Sequence, residues 1–388
     1  MAVLALVACT RASEPTPDPV RPDPPPVPAP VTPKQTTQIL LEQHGYKDAQ
    51  ASYLAVTLAP DPKTPPRLAP LGTRPALVGP AAGYYKTVVA QDANWWVHAI
   101  DGNKLVIGVM SATSGGKPSY QLALGFAATG LHVAGNSLWV GSEKAVGWID
   151  LSAAKPTYVE LVKRDGYAYK AYDRFVRDGD RLLAIDDEVM PMFADWFSID
   201  GAGRPVKRLG DWEMPGVING HYDHAALLAT AANEWTLYLV APYSVMTGNG
   251  QDLAAVPIRK DALVFDKTSS LQNNRGKLPV AFEQVDDRGQ HSPDVLVAGT
   301  KYSAWTGMAL AAGKIVLAAG PRGLLTMPTS FTAATRATVV ALGGDVHDVR
   351  AIGGQVYALV GSELVVLDAN LAVLARFPLP AAFDQFVD

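Results

Sequence analysis

Beyond residue 84 the apolar positions come in runs of four to six residues, rich in β-branched and aromatic side chains and broken by Gly, Asn and Asp. Runs of that length and composition predict strands. Leu138-Trp139-Val140 leads through Gly141-Ser142-Glu143 to Val146-Gly147-Trp148-Ile149-Asp150, and Tyr357-Ala358-Leu359-Val360 leads through Gly361-Ser362-Glu363 to Leu364-Val365-Val366-Leu367-Asp368. Each reads as a strand, a tight turn, and a second strand ending near an Asp. No stretch past 84 keeps apolar residues at i, i+3, i+4 and i+7 over three turns, which argues against a helical repeat. Upstream, Ile39, Leu40 and Gln43, with Gly45 as a stop, predict one small helix within 36–49. Residues 53–58 predict a strand, and Pro60, Pro62, Pro65, Pro66 and Pro70 make 59–75 an irregular connector.

The two Gly-Ser-Glu turns lie 220 residues apart, which is five periods of 44. Turns near 101, 141, 186, 233, 320 and 361 are spaced by 40, 45, 47, 87 and 41 residues, and the 87-residue gap reads as two periods hiding a degenerate unit around 262–300. Seven units of this length, each with about four short strands, predict an all-β chain folded as a single β-propeller of seven blades. Six blades with an elaborated insertion at 245–300 is the alternative. Radial repetition solves the edge problem of an all-β chain. The ring then needs closing, and the strand near 51–58 or the tail near 381–387 is expected to add an outer strand to a terminal blade.

The 34 glycines and 30 prolines among 388 residues suit many short elements joined by turns. The formal charge is −4 and the cationic residues are scattered, so nothing favours a nucleic-acid partner. Cys9 is the single cysteine, which excludes an internal disulfide and a zinc site of several thiolates. It ends an apolar run from Met1 that is too short to span a bilayer and reads as the core of a secretion signal, although no Lys or Arg precedes it. Half of residues 14–33 are proline. Such a stretch favours extended polyproline II and, at ~3.1 Å per residue, makes a semi-rigid spacer of roughly 60 Å.

Leu6-Val7-Ala8-Cys9 resembles the bacterial lipobox, in which the cysteine is lipidated and cleavage occurs just before it. The resemblance implies a signal peptide over 1–8, a membrane anchor through lipid on Cys9, and a Pro-rich tether over 9–35. The helix, strand and connector of 36–83 and the propeller of 84–388 follow. Thr10 resembles the residue after the cysteine of outer-membrane lipoproteins, which implies the outer membrane or cell surface, with a periplasm-facing position as the variant. Val133-Ala134-Gly135-Asn136-Ser137-Leu138-Trp139-Val140 and Val146-Gly147-Trp148-Ile149-Asp150-Leu151-Ser152, with Pro156, resemble the two halves of an LVIVD repeat. Asp195-Trp196-Phe197-Ser198-Ile199-Asp200-Gly201, with Pro205, resembles a further copy. LVIVD-repeat propellers are common among bacterial surface and exported proteins. The resemblance implies a fold and carries no catalytic residue.

Candidate chemistry is sparse. His221 and His224 are the metal candidates; imidazoles three apart share an ion only if their stretch is a loop, with a third ligand from another unit. The competing account has polar residues at loop-to-strand junctions capping turns. Tyr167, Tyr169 and Asp173 lie in a stretch of tyrosines between charges, and Trp212, Tyr222 and Trp305 extend the aromatic set. His347 and Asp348 begin another unit at an equivalent position. Loops entering the first strand of each blade share one propeller face, so these residues form a candidate binding face for a protein, peptide or glycan. No cofactor is implied beyond a metal ion at His221 and His224. No Ser-His-Asp order or paired-carboxylate spacing stands out. The leading expectation is therefore an interaction scaffold at the cell envelope. A propeller hydrolase or lyase acting on a polysaccharide or peptide at the ring centre, with or without a metal, is the alternative.

Overall fold

The computed structural model describes residues 38–43, 52–73, 89–91, 95–100, 103–109, 120–164, 172–186, 192–214, 224–241, 252–259, 275–277, 307–321, 323–331, 335 and 337–387. Sheet 1 begins with β1 (Gln38–Gln43), β2 (Ser52–Thr57) and β3 (Arg67–Thr73). Sheet 2 holds β4 (Val89–Gln91), β5 (Trp95–Ile100), β6 (Lys104–Val109) and β7 (Tyr120–Ala123). Sheet 3 holds β8 (Gly130–Ala134), β9 (Ser137–Gly141), β10 (Ala145–Asp150) and β11 (Tyr158–Lys163). Sheet 4 holds β12 (Tyr172–Asp178), β13 (Arg181–Asp186), β14 (Met192–Ile199) and β15 (Pro205–Met214). Sheet 5 holds β16 (His224–Ala231), β17 (Glu234–Ala241), β18 (Asp252–Arg259) and β19 (Arg275–Lys277). Sheet 6 holds β20 (Met308–Ala311), β21 (Lys314–Ala318), β22 (Leu324–Pro328) and β23 (Thr338–Val340). Sheet 7 holds β24 (Val346–Ile352), β25 (Gln355–Val360), β26 (Glu363–Leu367) and β27 (Val373–Pro378). The last strand, β28 (Gln385–Phe386), pairs antiparallel with β1 and completes sheet 1. Among the described residues there are thus seven four-stranded sheets, each a meander of antiparallel neighbours.

The first strands stand side by side in the order β4, β8, β12, β16, β20, β24, β28. The apolar core divides into seven clusters, one between each pair of consecutive sheets. Leu183 and Ile185 of β13 face sheet 5 with Leu227, Leu237 and Leu239, whereas Leu182 and Ala184 of the same strand face sheet 3 with Trp139 and Val146. Alternate side chains of one strand therefore enter different interfaces, as a two-residue period demands. This is why these strands read as continuous apolar runs and not as apolar–polar alternation. The interface of sheets 7 and 1 joins Tyr357, Leu359 and Phe377 to Ile39, Leu41 and Leu54. The interface of sheets 1 and 2 joins Leu40, Ala55 and Val387 to Val106. Every sheet has two neighbours, the circuit is complete, and the fold is a β-propeller.

Expectations about the terminal segments and the turn count are corrected. Residues 38–43 are a strand where a small helix was expected within 36–49. Ile39 and Leu41 pack on sheet 7 while Leu40 packs on sheet 2; a strand buries both sets, whereas a helix would bury one face. Residues 36–83, expected as helix, strand and connector ahead of the propeller, instead contribute three strands to sheet 1, and 67–73 within the proline-rich stretch is one of them. The tail closes the ring as expected, but β28 takes the first position of its sheet, beside β24, and not the outer one. Apart from β19, the unit expected around 262–300 lies outside the described residues; the 87-residue gap from 233 to 320 runs from the β16–β17 turn to just past β21, and the termini build sheet 1. Asn233 turns from the first to the second strand of its sheet, out of phase with the other five turns used for counting.

Closure is held by more than the two-residue strand. The amides of Asp384 and Val387 donate to the carbonyls of Glu42 and Leu40, both at 2.9 Å. The buried carboxylate of Asp348 in β24 accepts the Phe386 amide at 2.7 Å through one oxygen and its neighbour Val349's amide at 2.7 Å through the other. Arg350 Nη1 donates to the Val387 carbonyl at 2.6 Å, and Gln385 Nε2 donates to Glu42 Oε2 at 3.0 Å. Asp348→Ala is expected to lower the unfolding free energy by about 2–3 kcal/mol, the size of hydrogen bonds to a charged acceptor plus the stranded amides, read as a shift in the urea midpoint. An unchanged midpoint would show that closure does not depend on this carboxylate.

Candidate functional site

In each meander the first strand begins, the second ends and the third begins at one shared edge, here termed the entry end. The entry ends of neighbouring sheets adjoin. Thr129 Oγ1 donates to the Tyr172 carbonyl at 2.8 Å. A Cβ on Gly141 would collide with that same carbonyl, and one on Gly307 with the Asp348 carboxylate. Tyr167, Tyr169, His221, Tyr222 and Trp305, like Cys9, lie outside the described residues. The strands flanking them fix where their segments leave and return: 164–171 runs from β11 to β12, 215–223 from β15 to β16, and 278–307 from β19 to β20. All of these are entry-end connections. His224 begins β16 opposite Val240, and Trp212 lies opposite Ala194 in β15. Asp173 and His347 fall at register shifts in the first strands of sheets 4 and 7, both half-buried. Asp348 is committed to the closing strand. Among the described residues no group of three His, Cys, Asp or Glu side chains is placed to hold a metal ion.

Beside the 164–171 connection the structure brings together five side chains. Asp195 sits in the middle of β14, flanked by Ala194 and Trp196, and is fully buried. A carboxylate there needs partners, because an unpaired buried charge costs several kcal/mol. Arg164, just past β11, donates from Nη2 to Asp195 Oδ2 at 3.0 Å and from Nε to the Tyr172 hydroxyl at 2.5 Å. The Tyr172 hydroxyl in turn donates to Asp195 Oδ2. Arg208 of β15 donates to Asp195 Oδ1 from Nε at 2.9 Å and Nη2 at 2.5 Å. Asp211, two pairs along the same strand, lies 3.1 Å from Arg164 Nη2 and 3.3 Å from Arg208 Nη2. Phe193 supports the Arg164 guanidinium from 4.8 Å.

The electrostatics suit holding more than proton transfer. Burial first, and then the charge of Asp195, pushes the Tyr172 phenol well above its ordinary value, so it remains a neutral donor. The guanidinium of Arg164 is raised by the Asp195 carboxylate against the opposing effect of its own burial. Asp195, saturated by two guanidiniums and a phenol, has no open lone pair for a general base. The sequence pointed to the tyrosine stretch that holds Arg164 and Tyr172 but to neither residue as a site, and not to Arg208 or Asp211. The legible signal was the Asp inside the apolar run Met192-Phe193-Ala194-Asp195-Trp196-Phe197.

At the opposite end of the sheets, tight turns follow the third strands of sheets 4 and 7. Asp200, closing β14, accepts the amides of Ala202 and Arg204 at 2.9 and 2.8 Å, and Asp368, closing β26, accepts those of Asn370 and Ala372 at 2.8 and 2.9 Å. The strand-terminal Asp of the repeat is this turn. The 200–204 turn also reaches sheet 3, where Trp139 Nε1 donates to the Gly203 carbonyl at 2.9 Å and Ser137 Oγ to that of Ala202 at 3.0 Å. Gly203 is fixed there by φ +77° and by the Ala134 backbone, which leaves no room for a Cβ.

No family model and no curated protein matches the chain. Solved structures similar to it include Sqt1 of Saccharomyces cerevisiae, at 11% identity and a TM-score of 0.46 over 89% of this chain and 86% of that one. Apo AztD from Citrobacter koseri is 12% identical with a TM-score of 0.43, over 90% and 85%. BamB from Moraxella catarrhalis is 13% identical with a TM-score of 0.37, over 90% and 89%. Nothing about a ligand or partner transfers to this chain at such distances.

Two outcomes follow from the Asp195 network. Asp195→Ala, which leaves two guanidiniums facing one another, is expected to destabilise the chain by about 3 kcal/mol, near the lower end for broken buried pairs because Arg208 is 40% exposed. Tyr172 loses its proton more readily unfolded than folded, so its contribution is complete below an ordinary tyrosine value of ~10 and is lost as pH rises above it. Tyr158, raised to about 12, acts in the same direction. Urea midpoints measured from pH 8 to 11.5 should fall at the alkaline end, and Tyr172→Phe should flatten that fall. An equally steep fall in Tyr172→Phe would contradict the assignment.

Proposed function

We propose that this protein is a lipid-anchored, exported β-propeller that serves as a binding scaffold at the cell envelope of a bacterium, at the outer membrane or cell surface. The observation that carries the scaffold reading is the length and composition of the entry-end connections around sheets 4 to 6; at the other end the third-to-fourth-strand connections 200–204, 260–274 and 329–337 have five, fifteen and nine residues, and the remaining turns are short. First-to-second-strand turns at 179–180, 232–233 and 312–313 have two residues each. Entry-end connections at 164–171, 215–223, 242–251 and 278–307 have eight, nine, ten and thirty. A rigid frame bearing long connections is a common way of presenting variable recognition elements. The long connections carry Tyr167, Tyr169, His221, Tyr222 and Trp305, residue types suited to gripping a protein, peptide or glycan.

Lipobox-like Leu6-Val7-Ala8-Cys9 and the proline-rich 14–33 support the anchoring half of the proposal, and the LVIVD-like segments at 133–152 and 195–205 agree with an exported propeller. Two acyl chains on Cys9 would hold the protein stably, where one binds only marginally. Expressed from its own gene, the protein should fractionate with membranes, and Cys9→Ser should release it. A photo-crosslinking residue at Tyr169 or Tyr222 should trap a partner, while the same residue at Asn233, in a two-residue turn at the opposite end, should not. Trapping from Asn233 alone, or membrane retention of Cys9→Ser, would contradict the respective half.

A further inference from the structure

The Arg164–Arg208 pair does two jobs with different partners. Asp195 is fully buried and takes four hydrogen bonds of 2.5 to 3.3 Å from the two guanidiniums. This fixes both cations in place, Arg164 also against Phe193 and Tyr172. Asp211 is 47% exposed, sits farther away at 3.1 and 3.3 Å, and offers one oxygen to each guanidinium. The two contacts are thus unequal: the first is structural, whereas the second is a surface pair of the kind that contributes little and exchanges readily with solvent. No hydrogen bond among the described residues reaches Nη1 of either arginine, so each retains donors beyond those used on the two aspartates. Guanidinium pairs held this rigidly lose little entropy on binding a planar anion.

The geometry points to an anion-receiving fork between sheets 3 and 4, beside the start of the 164–171 connection, that takes a carboxylate of an acidic peptide or partner and that Asp211 fills as a built-in occupant. Asp211 shows that a single carboxylate bridges the two guanidiniums, with one oxygen on each. An incoming Glu or Asp side chain reproduces that arrangement once Asp211 swings aside. Its location at the start of the 164–171 connection places the fork at the margin of the proposed recognition end. The inference rests on the scaffold reading for its biological meaning, but it is tested separately from membrane anchoring.

The test is calorimetric titration of the intact chain with a hexaglutamate peptide at low ionic strength, with inorganic phosphate as a second probe. Asp211→Ala and Asp211→Asn should each bind hexaglutamate three- to tenfold more tightly than the parent, because the internal competitor is gone. Glu234→Gln, which removes an exposed negative charge from sheet 5, should leave the affinity unchanged. Raised salt should erase the gain. Equal affinity in parent and Asp211 variants, or an equal gain in Glu234→Gln, overturns the fork. A phosphate gain as large as the peptide's overturns the carboxylate assignment. Loss of the gain leaves the Cys9→Ser fractionation result standing, so the two readings fail independently.

Discussion

Burial of both faces of every sheet is the constraint on which the structure depends. A sheet whose strands send alternate side chains into two different interfaces cannot stand at the end of a stack, because one apolar face would lie in water. Leu182 and Leu183, adjacent in β13, lie in the interfaces with sheets 3 and 5 respectively. The same requirement repeated through seven sheets leaves only a closed circuit. The last interfaces must then be made from whatever chain remains, which here is 38–73 together with 385–387.

This has a kinetic and an energetic side. The meanders within each sheet are local, but β1 and β28 are separated by nearly the whole chain, so closure carries a loop entropy cost that local pairs do not. The molecule offsets it with side chains as well as with backbone: Asp348 and Arg350 tie the terminal segment to sheet 7, and Gln385 ties it to β1 of its own sheet. The same logic governs the Asp195 network. A charge in the interior of β14 is tolerable because Arg164 comes from the end of the preceding sheet and Tyr172 from the first strand of its own, so satisfying the charge also cross-links sheets 3 and 4. The entry end is thus supported by a buried polar anchor, and the opposite end carries Asp-capped turns at 200–204 and 368–372.

Much of the architecture was legible in the sequence. The Gly-Ser-Glu turns, the strand-terminal Asp150 and Asp368, and the spacing near 44 all correspond to repeated structural positions, because tight turns demand particular residues wherever they recur. The terminal sheet was not legible. Ile39-Leu40-Leu41 looks the same whether a helix buries one face or a strand buries two, and only its distant partners Val106 and Tyr357 decide. Pro70 within β3 disguised that strand; it sits on the outer strand beside a register shift, where a missing amide is tolerated. The candidate site was half legible: Asp195 stands out against its apolar neighbours, but the arginines that answer it come from 31 residues upstream and 13 downstream, and no local pattern announces such pairs.

Native-state hydrogen exchange read by mass spectrometry addresses ring closure most directly, since amides in a cooperative unit share its opening free energy. If the termini complete the circuit, peptides covering 38–43 and 52–57 should exchange as slowly as those covering 355–367 in sheet 7, and removal of residues 384–388 should speed the first two far more than it speeds exchange in sheet 4. Exchange of 38–43 at the rate of an unstructured peptide in the intact protein would contradict the closed ring.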